Sequence, residues 1–306
     1  MTQRFVDVAR DAVRPTIKLV LWLLKLMLPI MLAVSLLSYY GVMEYVSSLF
    51  SPFFEFIGLG GDASIVFMTS ICLNIYSAIG VIAGLSLDIR EVTILATMCL
   101  ISHNMIIETK IQQKAGANGF VMVLLRISMS LFAAWCLNLV LPDKINSALV
   151  IEQAASAPQS LLEVVSQWFF VSLPLVIKLV CIIYSLHLLQ GILIEYKLMP
   201  LLTKPLAPLM KIMGLPESTT LTWLIANTLG LAYGGVAIVN EVDKGLITKQ
   251  ESKYLNTSIA ITHSLIEDTL LFVALGVMLW WTILPRFILS ITAVWGQKLY
   301  MKIKYR

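Results

Sequence analysis

Apolar stretches recur along the whole chain, and nothing else constrains its fold as strongly. They cover 17–40, 44–58, 63–85, 92–112 and 117–141, then 163–190, 193–213, 218–240, 252–283 and 285–300. Most are near the ~20 residues that an α-helix needs to cross a bilayer. In hydrocarbon every backbone N–H and C=O must be paired within the structure, so the choice is helix or closed barrel. The period-2 alternation of a barrel strand is missing, which leaves helices. Charged residues make up 13% of the 306, against about 25% in soluble domains, and mean hydropathy is +0.87. A soluble globular enzyme is therefore excluded. The expectation is an all-α polytopic membrane protein.

The segments 44–58 and 193–213 are weaker. The first is short, and the second carries Lys197, Pro200, Lys204, Pro205, Pro208 and Lys211. Residues 1–16 form a mixed-charge amphipathic segment expected at the membrane surface. The apolar run after it is too long for a cleaved signal. The four cysteines lie in apolar segments without CxxC spacing, so neither a disulfide framework nor a zinc site is indicated.

The two halves match each other. From Glu91 onward a constant offset of 160 pairs Glu91 with Glu251, Thr97 with Thr257, His103 with His263 and Glu108 with Asp268. It also pairs Arg126 with Arg286, Ser130 with Ser290 and Trp135 with Trp295. Ionisable residues and Trp are rare in membrane helices, so these matches outweigh any number of matched leucines. The expected domains are a first repeat over 17–141, an external linker over 142–162, a second repeat over 163–300 and a basic tail over 301–306. Arg4, Arg10, Arg14 and Lys18 precede the first apolar run; Lys298, Lys302, Lys304 and Arg306 follow the last. Lys and Arg are retained on the cytoplasmic side, so both termini are expected inside. Each half then crosses an odd number of times, which makes the expectation two inverted-topology repeats of about five helical segments each.

Secondary transporters are built this way, with a site near the midplane. His103 lies 12 residues after Glu91, and His263 the same distance after Glu251. At 1.5 Å per residue both fall near the middle of the membrane. Thr97, Asn104 and Glu108 share one face of a continuous helix, and Thr257, Ser264 and Asp268 repeat it. Intramembrane ionisable groups are costly and normally face a cavity or the bundle interior. Glu108 and Asp268 are the expected carriers of a coupling ion, with Glu267 next. Asn74 and Asn227 lie mid-helix beside Gly80, Gly84, Gly230, Gly234 and Gly235, where one reading is an unwound segment that offers backbone groups, and their amides are candidates for ligand contact. The substrate-binding set is then Asn74, His103, Asn104, Asn227, His263 and Ser264. Alternatives stay open: the histidines as interhelical hydrogen-bond partners, the glycines as small-residue packing, and Arg126 and Arg286 as snorkelling side chains or salt-bridge partners of the acids.

The pair Ser-His-Asn-Met-Ile-Ile-Glu (102–108) and Thr-His-Ser-Leu-Ile-Glu-Asp (262–268) resembles the nucleoside-recognition, or Gate, domain family. That resemblance implies two Gate-like repeats in a bacterial inner-membrane protein, and nucleosides only by analogy. The function expected is secondary transport of a small polar or amphiphilic solute. A lipid-handling protein such as a flippase, or a non-transporting scaffold subunit, are the alternatives. No enzyme chemistry, cofactor or metal is called for. The expected partners are a small-molecule or lipid substrate and membrane lipids, not nucleic acid. A homo-oligomer stays open.

Overall fold

The computed structural model describes residues 2–85, 87–142 and 160–304. Most of the expected external linker and the last two residues of the basic tail lie outside them. Among the described residues all regular structure is helical. The first half runs α1 (Thr2–Tyr39), α2 (Val42–Glu55), α3 (Ala63–Cys72), α4 (Ile75–Ala83), α5 (Ile89–Ser102), α6 (Met105–Lys114) and α7 (Gly119–Val140). The second runs α8 (Leu161–Glu195), α9 (Met199–Ile212), α10 (Thr220–Thr228), α11 (Leu231–Asp243), α12 (Lys249–Thr262), α13 (Glu267–Val273) and α14 (Leu279–Lys304). Among the described residues five helical stretches are long and apolar enough to cross a membrane: Gln3–Tyr39, Ile89–Lys114, Gly119–Val140, Leu161–Glu195 and Leu279–Lys304. The chain is a polytopic helical membrane protein.

Two features differ from the sequence expectation. Residues 2–16 do not form a separate surface helix but continue straight into α1. Pro15 forfeits one backbone bond there, yet the helix is held through it: Tyr184 Oη donates to Ala9 O (3.3 Å), and Thr16 Oγ1 lies 2.9 Å from His187 Nδ1 on α8. Second, the apolar runs 63–85, 92–112, 218–240 and 252–283 are not continuous helices. Each is interrupted, at Leu73–Asn74, His103–Asn104, Leu229–Gly230 and between His263 and Ile266. Asn74 is thus the N-cap of α4 rather than mid-helix, its Oδ1 accepting from Ser77 N (2.9 Å). Gly230 adopts φ 86°, ψ 169°, a region open essentially to glycine alone. Gly80 has the packing role instead: a Cβ there would fall 2.9 Å from Met27 Cγ.

The interrupted helices form the centre. In the most apolar 18 residues of Ile89–Lys114, 83% are buried, against 28% in those of Gln3–Tyr39 and of Leu161–Glu195, so the long helices face outward and the broken ones inward. The α5–α6 and α12–α13 stretches run in opposite directions. Ser252 Oγ and Asn256 Nδ2, early in α12, donate to Ala115 O at the end of α6 (2.8 and 3.1 Å). Thr97 Oγ1, on α5 ahead of its break, donates to Trp281 O beyond the end of α13 (3.3 Å).

Candidate functional site

Both central breaks are built the same way. Asp88 with Glu91, and Thr248 with Glu251, form capping boxes that fix where α5 and α12 begin. Each helix ends on its histidine, whose Nδ1 bonds the carbonyl four residues back: His103 to Cys99 O (3.0 Å), His263 to Ile259 O (2.8 Å). The next residue turns left-handed, Asn104 and Ser264 both at φ 49°. Asn and Ser are short enough to tolerate this, Asn especially. Their N–H groups then cross to the neighbouring break, Asn104 N to Ser70 O (2.9 Å) and Ser264 N to Ala226 O (3.1 Å).

A helix end leaves carbonyls without intrahelical partners. Arginine supplies donors here. Arg126 Nε donates to Ile101 O and Nη2 to His103 O, each at 2.7 Å. Arg286 repeats the fork, Nε to Ile261 O (2.9 Å) and Nη2 to His263 O. Both guanidinium groups are fully buried, so neither arginine snorkels. A cation at a helix C-terminus also suits the helix dipole.

The two breaks meet. The imidazole rings of His103 and His263 lie 5.0 Å apart. His103 Nε2 is 3.2 Å from Glu108 Oε1 and 3.2 Å from Asp268 Oδ2. His263 Nε2 is 3.1 Å from Glu108 Oε2, which also pairs with Arg126 Nη2 at 2.7 Å. All these residues are buried. Each histidine thus touches the acid of the other half. The acids sit in the first turns of α6 and α13, where the helix dipole favours negative charge.

The remaining candidates fall around this centre. Glu267 is not one helical turn from His263, because α13 begins at Glu267 itself; its Oε1 accepts from Tyr76 Oη (3.4 Å). Asn227 Nδ2 donates to Trp223 O (2.8 Å), while its buried Oδ1 has no hydrogen-bond partner among the described residues. Asn74 spends its side-chain oxygen on capping. The even polar face expected of Thr97, Asn104 and Glu108 is interrupted at Asn104, since the helix stops there. Tyr76 and Thr269, the latter within 3.4 Å of Arg286 Nη1, do not stand out in the sequence. An offset match pairs Thr109 with Thr269, but hydroxyl residues are too common in membrane helices for that to be conspicuous.

Comparison with known proteins agrees with the resemblance over the stretch that holds the first His motif, 102–108. Residues 20–120 match the Gate family model, described as nucleoside recognition. The uncharacterised membrane protein YvoD of Bacillus subtilis is 29% identical over 264 residues, 86% of this chain and 85% of that protein. No solved structure matches the chain.

Proposed function

We propose that the protein is a secondary transporter of a bacterial cytoplasmic membrane, with its site where the two broken helices meet. The observation that carries this reading is the buried contact of His103, His263, Glu108 and Asp268, drawn from two stretches of opposite direction. Discontinuous helices with ionisable groups at mid-membrane are how transporters bind substrate and coupling ions. The Gate match over residues 20–120 supports a transport-related role, with a nucleoside-like solute as the first to try.

The halves act as inverted repeats that rock about this centre. Support comes from the parallel order of seven helices in each half and the paired breaks. Charge supports the orientation. Gly80 packs by Met27 and Gly84 by Val34, so α1 rises beside α4, and its N-terminus lies at the end opposite Asp88. Lys298 Nζ lies 5.1 Å from the Tyr254 ring, in the first half of α12, which puts the C-terminal turns at that same end. Arg4, Arg10, Arg14, Lys110, Lys114, Lys249 and Lys253 gather there and outnumber Asp7, Asp11 and Glu251 on the same turns; the other end holds Glu44, Glu55, Asp62, Asp88 and Glu91 with Arg90. The basic end is cytoplasmic on the positive-inside rule.

The test is uptake into proteoliposomes under an imposed pH gradient, across a nucleoside panel and a fluorescent lipid panel. Gradient-dependent accumulation of a soluble solute by wild type is expected. Scrambling of lipid without solute uptake moves the protein to the lipid-handling class, and neither activity leaves a scaffold. Cysteine labelling at 142–160 from outside, and at both termini from inside, is the matching topology result; labelling of 142–160 from the cytoplasm alone overturns the inverted arrangement.

A further inference from the structure

We propose that His103, His263 and Glu108 form a binding site for one divalent first-row transition-metal ion, with Asp268 beside it against His103. A metal is no part of the expectation from sequence spacing, because the ligands come from halves 160 residues apart. The geometry supplies the reason. A carbonyl oxygen only accepts, so the bonds to Cys99 O and Ile259 O put a proton on Nδ1 of each histidine. Neutral imidazole then carries a lone pair on Nε2. Both Nε2 atoms point at carboxylate oxygens 3.1–3.2 Å away. Lone pairs facing each other at that distance, away from water, need a positive centre between them, either a proton on Nε2 or one metal ion.

One ion can meet three of these ligands together. Donor atoms of His103, Glu108 and His263 lie within 4.8 Å of one another. A tetrahedral ion with bonds of about 2.0–2.2 Å holds its ligand atoms about 3.3–3.6 Å apart. The Asp268 oxygen, 3.2 Å from His103 Nε2, lies outside that group of three, which leaves the fourth position to water or solute. The surroundings are those of a metal centre. Each histidine is oriented by a carbonyl on its other nitrogen, and Glu108 is steadied by Arg126. Two imidazoles with one carboxylate suit Zn2+ or Co2+ better than Cu(I), which prefers sulfur, or Mg2+, which prefers oxygen alone.

This names the ion for the site of the transport reading and rests on that reading only for the step after binding. The probe is Co2+, and Zn2+ in parallel, added to the purified full chain after removal of any affinity tag. Expected are about one ion per chain and the visible absorption of four-coordinate Co2+. His263→Gln and His103→Gln weaken binding at least about tenfold, while Glu251→Gln, at the start of α12, leaves it unchanged. Size-exclusion profiles check each variant; if one histidine variant is not monodisperse, the other decides. Less than stoichiometric metal, or binding by the monodisperse histidine variant equal to that of wild type, overturns the site. Solute uptake without metal binding sinks the metal site alone. Metal binding without any flux sinks the transport reading alone.

Discussion

The two central breaks share a frame and differ in how they handle charge. In the first half Arg126 clamps the acid of its own half, Glu108, which touches both histidines. In the second half Arg286 reaches backbone carbonyls and the Thr269 hydroxyl, and its Nη and Nε atoms pair with no carboxylate among the described residues. Asp268 is left with His103, across the interface. The backbone devices (capping box, terminal histidine, left-handed turn, arginine fork) are duplicated. The electrostatics are not. One half holds an acid clamped by an arginine, and the other an acid whose ion-pair contact is the histidine across the interface.

Replacing each arginine with methionine tests this most severely. Both variants lose the fork onto two carbonyls, so that part cancels in the comparison. Arg126→Met also leaves Glu108 as a buried carboxylate without its ion pair, a loss of about 3–5 kcal/mol. Thermal unfolding in detergent is expected to separate the two variants clearly, with Arg126→Met the less stable or unrecoverable. Equal destabilisation breaks the asymmetry.

The acids give the reverse ranking in function. Asp268→Asn removes a charge that no arginine balances directly, so folded yield holds while gradient-driven uptake falls to background. Glu108→Gln strands the Arg126 guanidinium and lowers yield first. Uptake by Asp268→Asn at the wild-type rate, with an unchanged pH profile, moves the coupling role to another group.

The sequence carries the ingredients of this centre but not its shape. Rare residues at one offset identify His103, His263, Glu108 and Asp268, because a buried charge in a membrane is costly enough to be conspicuous. The breaks are invisible to periodicity. Asn104 and Ser264 are ordinary polar residues, and only the neighbouring chain, which receives their N–H groups, makes a left-handed turn there worthwhile. The arginines depend on the breaks. On a continuous helix a guanidinium has no backbone carbonyl to bind and runs to the interface; a helix end supplies two. Residues 2–16 are a surface segment by amphipathicity alone, and become the start of α1 because α8 is there to pack against.

The outer breaks offer the finest comparison, since α3–α4 and α10–α11 reach the same interruption by different chemistry. The first uses a cap. Asn74 is extended, at φ −164°, so any residue fits the backbone, and Asn74→Ala removes only the cap that accepts from Ser77 N and Oγ, about 1 kcal/mol. The second uses conformation. Gly230→Ala forces a side chain into a glycine-only region at about 1–3 kcal/mol. Its Cβ would also sit 3.3 Å from Ser264 Oγ, tight enough to press on the turn that holds His263. Gly230→Ala is therefore expected to be the more destabilising, and to lower uptake beyond its effect on yield. Asn74→Ala should change yield slightly and uptake per folded molecule not at all. Hydrogen exchange over 226–231 and 70–77 reads the two breaks separately. Faster exchange in Asn74→Ala with Gly230→Ala unaffected would mean that the first-half cap, not the second-half glycine, holds the central histidines in place.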